Sequence, residues 1–119
     1  MKVVNIDKVE RISAAGPLFT GEDVTRQPLA PDSEDFNISV VNFGEGVRNK
    51  LHYHESDQIL IVTAGEGIVA TEDQQVDVSA GDVIFAPAGE RHWHGARPGS
   101  TFSHVTVTRK DVGAIQLED

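Results

Sequence analysis

A chain of 119 residues can hold one domain with a sizeable core, and its 39% hydrophobic and 24% charged residues suit a soluble globular protein. The formal net charge of −9, with Lys and Arg scattered rather than clustered, excludes a phosphate backbone as a partner. The absence of cysteine removes disulfides, thiolate metal sites and thiol nucleophiles.

Residues 1–10 alternate apolar and charged side chains and lack the continuous apolar core of a signal peptide. The longest apolar run, residues 59–62, is far too short to span a bilayer. A cytoplasmic protein with no membrane partner is therefore expected. Residues 1–12 carry Val3, Val4, Ile6, Val9 and Ile12, a pattern for a short strand, with a helix as the alternative. Residues 14–17, Ala-Ala-Gly-Pro, form a turn, and residues 18–29 hold an edge strand limited by Pro28 and Pro31. From Phe36 onward short β-like runs follow one another: 36–43, 51–54, 58–64, 68–72, 75–79, 83–86, 92–95 and 101–109, with a weak final strand around 115–117. Gly65-Glu66-Gly67 reads as a tight hairpin turn between two of them. Turn signals every few residues and no helical period imply an antiparallel β-sandwich or barrel.

The histidines are the organising feature. All five lie between positions 52 and 104. His52 and His54 are two apart, as are His92 and His94, and strand geometry puts each pair on one face. Tyr53 and Trp93 between them face the other way, where core packing is expected. The simpler alternative, that these are hydrogen-bonded core histidines, is hard to reconcile with two pairs at the same spacing. His54-Glu55 lacks the second histidine and the helix of a zincin. The Gly-Glu-Gly stretches lack the Lys and helix of a phosphate loop, and no strand–turn–helix elbow supports a serine nucleophile.

The spacing of these residues resembles the two motifs of the cupins. Gly46, His52, His54, Gln58 and Gly65 match the first, with Gln58 where Glu is usual; Gly81, Pro87, Gly89 and His92 match the second, with Ala96 where Asn is usual. The resemblance implies an all-β fold, a double-stranded β-helix or jelly-roll barrel, as a single domain over 1–119 with core motifs at 46–65 and 81–96. It also implies a homodimer or higher homo-oligomer, in which residues 1–12 could supply a shared strand. The stretches 57–65 and 87–96 resemble the small cupins that include manganese-dependent hydroxynitrile lyases. That subgroup implies His52, His54, Gln58 and His92 as ligands of a divalent metal, with manganese first and Fe, Zn, Ni or Co as alternatives, and His94 and His104 as catalytic residues beside a small-molecule substrate.

Three imidazoles and an amide oxygen would leave the full dication charge uncancelled, a stronger Lewis acid than a site with Glu. His104 or His94 would take the hydroxyl proton of a cyanohydrin or related α-hydroxy compound as the carbon–carbon bond breaks. Val40, Leu60, Val62 and Phe102 are the expected lining residues. The competing readings are a metal-dependent dioxygenase and a non-enzymatic small-molecule binder. The two extra histidines lean toward acid–base chemistry.

Overall fold

A computed structural model describes residues 1–119. Ten strands follow in order: β1 (Ile12–Ser13), β2 (Val24–Pro28), β3 (Phe36–Phe43), β4 (His52–His54), β5 (Gln58–Thr71), β6 (Gln75–Ser79), β7 (Val83–Ala86), β8 (His92–Ala96), β9 (Phe102–Arg109) and β10 (Ala114–Gln116). Every pairing is antiparallel. One sheet runs β1-β2-β3-β9-β5-β7, and the other runs β10-β4-β8-β5-β6, so β5 belongs to both. The two curl into a jelly-roll barrel. No helix is long and apolar enough to cross a membrane.

β5 corrects the sequence expectation at Gly65-Glu66-Gly67. There is no hairpin there; 14 residues run as one strand. Its first half pairs with β9 and β7, and its second half with β8 and β6. The glycines serve the transfer from one sheet to the other. A register shift falls between Val62 and Ala64, and Gly65 adopts φ +74°. A Cβ at Gly65 would overlap the Thr101 carbonyl, and one at Gly67 would strike the Phe102 ring. A glycine pair reads alike for a reversal and for a bend, because both need close backbone approach.

The N-terminus also differs from expectation. Residues 1–12 do not form one strand: Ile6–Lys8 is a 3-10 turn, capped by Asn5, and only Ile12–Ser13 pairs. Gln27 on β2 holds that turn, donating to the carbonyls of Ile6 and Val9 at 2.9 Å each. The apolar core, Val24, Phe43, Val62, Val78, Ala96 and Phe102, lies between the two sheets. Phe43 borders both this core and the histidines, 5.9 Å from the Phe102 ring and 5.5 Å from that of His104.

The bend in β5 is the position where a side chain is least tolerated. Gly65→Ala must take up both a positive φ and a clash with fixed backbone, and is expected to cost more than about 2 kcal/mol in urea unfolding. An unchanged midpoint would show that the strand shifts freely there.

Candidate metal centre

His52 and His92 sit directly opposite one another on β4 and β8, and His54 follows on the same face of β4. Gln58 opens β5 and is buried. The metal-binding atoms of His52, His54 and His92 lie within 4.8 Å of one another. The hydrogen bonds of the outer ring nitrogens assign the inner ones. His52 Nδ1 donates to the Lys50 carbonyl at 2.6 Å and His92 Nδ1 to the Glu90 carbonyl at 2.9 Å. Each neutral ring then presents a lone pair at Nε2.

His92 Nε2 faces Gln58 Oε1 at 3.0 Å. The Gln58 amide nitrogen donates to Thr106 Oγ1 at 2.9 Å, which turns the oxygen inward. Two acceptors thus meet without a proton between them. Both ring nitrogens of His54 are buried without a well-formed hydrogen bond, although the Gly113 backbone lies close enough to favour the charged ring. Buried lone pairs without donors are costly, and a cation among them removes the cost. The donor set of His52, His54, Gln58 and His92 therefore fits a divalent metal ion of the kind that accepts imidazole and amide ligands. Burial pushes the His52 ring down to about 4 and lowers His54 and His92, so all three are neutral and able to ligate at pH 7.

His94 and His104, on β8 and β9, are likewise buried, at 4% and 0% exposure. His94 Nδ1 and His104 Nε2 are 3.1 Å apart. Burial drives His104 to about 4 and His94 well below its ordinary value, the latter also through its histidine neighbours, with His104 foremost. The structure thus gathers all six residues singled out from the sequence into two adjoining groups.

The expected lining residues need correction. A cavity of about 130 Å³ beside the histidines is walled by Leu18, Phe19, Val41 and Phe43, with Asn49 and Thr106. Val40 lies one register step away, paired with Gln27 and Val105 on the outer face, because Val41 is the residue opposite His104. Val62 and Phe102 belong to the core, and Leu60 lines a second cavity of about 550 Å³ that reaches His92 and His94 from the β6–β7 side. Trp93 is half-buried under the Arg48 guanidinium, 4.4 Å from the ring centre, rather than packed in the core. Asn49 and Phe43 had no motif to mark them. Asn49 is 3% exposed and bonds His94 through both backbone and side chain.

The cupin domain pattern matches residues 39–107, more than half of the chain. The chain belongs to the cupin domain family. This cupin is 39% identical over 103 residues, 82% of its own length and 78% of the relative's, to an (R)-mandelonitrile lyase of Granulicella tundricola. That places it close to the hydroxynitrile lyase subgroup. A shorter match, 48% identical over 46 residues, covers 35% of this cupin and 26% of an acireductone dioxygenase of a Sulfurihydrogenibium species. A cupin-like protein of Thermotoga maritima superposes with a TM-score of 0.85 at 30% identity, covering 95% of this chain and 90% of that one.

The buried rings make the metal-free protein acid-labile. An unfolded histidine takes a proton near pH ~6.5, whereas folded His52 and His104 resist it until about 4. Below pH ~6.5 the unfolded state binds more protons, so stability falls as the pH falls through that window, on the order of 3 kcal/mol for each of the two rings. The melting temperature of the metal-free protein should be level with respect to these groups above pH ~7 and drop steeply from ~6.5 to ~4. A flat profile would mean that the rings are solvated.

Proposed function

We propose that this cupin is a metal-dependent lyase that cleaves or forms cyanohydrins or related α-hydroxy compounds. The observation that carries the reading is the uncharged donor set, His52, His54, Gln58 and His92, set against the hydrogen-bonded pair His94–His104. The relative named (R)-mandelonitrile lyase supports it. Manganese is the proposed metal, held by those four residues; bound there, it would supply a Lewis acid whose charge no ligand carboxylate cancels.

The protein's own groups do the rest. Leu18, Phe19, Val41 and Phe43 present an apolar wall to the substrate's carbon substituent and keep water from it. The His94–His104 pair, neutral at pH 7, takes the hydroxyl proton. The O–H electrons become the carbonyl π bond, the carbon–carbon bond breaks, and cyanide leaves with that electron pair. The proton then passes to cyanide, which restores the pair. In synthesis the same steps run backward, and the pair protonates the new hydroxyl. An oxygen-using cupin is the second reading, favoured by the short dioxygenase match, and oxygen uptake with a diketone panel separates the two.

The mandelonitrile assay decides. Protein reconstituted with manganese should release benzaldehyde, and His104→Ala should lose about 10²-fold in kcat while elemental analysis finds the same metal content. Equal rates in the two proteins, no release in either, or less than about a tenth of an equivalent of metal after reconstitution would remove the reading.

A second copy of the chain belongs with this reading. Ile38, Val107, Ile59 and Phe85 form one row across the outer face of β3-β9-β5-β7, and Val40, Val105, Ile61 and Val83 form the next. The N-terminal turn sits on Gln27 at the β2 end of that face, while Val83 and Phe85 at the other end are 64% and 60% exposed. A stable pair buries roughly 800 Å² per partner. The exposed members of these rows, Ile59, Ile61, Val83 and Phe85, supply part of this, and exposed Val3 and Val4 add apolar surface. Light scattering should give twice the 12.9 kDa chain mass, and Val83→Lys with Phe85→Lys should halve it. A monomeric wild type rejects the interface.

A further inference from the structure

Thr106 is the one hydroxyl on the wall of the cavity beside the histidines. It stands on β9 two residues beyond His104, and unbroken pairing with β3 keeps the two on one face. Gln58 Nε2 lies 2.9 Å from its Oγ1. An amide nitrogen can only donate, so the Thr106 oxygen accepts. A ligand role for Gln58 demands the same orientation, because Oε1 must then be the inward end of the amide.

The hydroxyl still has its own hydrogen to place, since threonine donates one bond as well as accepting. The bond from Gln58 is the only one the Thr106 side chain makes, and no oxygen or ring nitrogen of the protein takes its hydrogen. Two serines nearby spend theirs internally: Ser56 donates to the Asp57 carbonyl and Ser103 to Asn42 Oδ1, both at 2.7 Å. Half-buried Thr106 keeps its hydrogen for whatever occupies the cavity. No carboxylate lines that cavity, so nothing on its wall repels an anion. A metal held by uncharged ligands would attract one.

We propose that Thr106 Oγ1–H is the binding donor for a small linear anion at this centre, and the group that receives cyanide as it leaves a cyanohydrin. The second half rests on the lyase reading. As the carbon–carbon bond breaks, its electron pair and the growing negative charge go to cyanide. A hydroxyl held beforehand by Gln58 meets that charge without reorganising. Thr106 itself neither gains nor loses a proton; the hydroxyl proton of the substrate stays with the His94–His104 pair until it passes to cyanide.

Azide, a linear anion that needs no turnover, is the probe, titrated into cobalt-loaded protein by visible absorption. Thr106→Val keeps the shape and removes the donor, and should weaken azide about 10-fold, while Thr106→Ser should stay within about twofold of the wild type. Cobalt affinity, measured by chelator competition, should be alike in all three. Unchanged azide affinity in Thr106→Val overturns the proposal. So does a loss of azide binding matched by an equal loss of cobalt affinity, since Thr106 would then act only through Gln58. A crystal structure of the zinc-loaded wild type with azide needs no variant: a terminal nitrogen should lie within hydrogen-bond distance of Thr106 Oγ1, and azide bound away from it overturns the proposal. With mandelonitrile, Thr106→Val should lower kcat about 10-fold at equal metal content, and an unchanged kcat overturns the cyanide half alone. A wild type inactive on mandelonitrile removes the lyase reading and the cyanide half with it, and leaves the azide result standing.

Discussion

Acceptors facing acceptors are the constraint on which the interior depends. Neutral His54 buries a lone pair with no donor of ordinary geometry, and His92 Nε2 looks at the Gln58 oxygen with nothing to share. A positive ion placed among these lone pairs would remove that cost. The fold prepares this from outside the cluster. The Lys50 and Glu90 carbonyls hold the outer nitrogens of His52 and His92, and so aim their lone pairs inward before any ion arrives.

The donor set and the His94–His104 pair are two adjoining clusters joined by one strand. β8 carries His92 toward the metal-binding group and His94 toward His104, two residues on. Phe43 stands against both His94 and His104, so the apolar core ends in a wall of aromatic and imidazole edges. Neutral rings packed in this way are available as bases and ligands, and they make acid the natural enemy of the apo fold.

Much of this could be read before any coordinates existed. Two-residue histidine spacing survives translation into structure because a strand without a bulge alternates faces. The short strands from Phe36 onward appear where β-branched runs and turn signals put them. The failures have physical causes. Gly65 and Gly67 signal close backbone approach, which a bend between sheets needs as much as a reversal does. Val40 and Val41 differ by one step of register, and a single step exchanges inside for outside. Asn49 carried no pattern of its own. Its importance arises from an amide whose orientation is dictated by a backbone N–H 45 residues later.

β4 holds two of the three clustered histidines, yet its pairing is short on both edges. It meets β8 at a single residue pair, and its other edge is covered by three residues of β10. The tail beyond β10 fastens this arrangement, with Glu118 accepting from the Leu51 backbone and pairing with Arg48 at 3.1 Å. The position of His52 and His54 is thus secured in part from the carboxy-terminal hem. Loosening the last few residues would uncover the edge of the strand that carries His52 and His54.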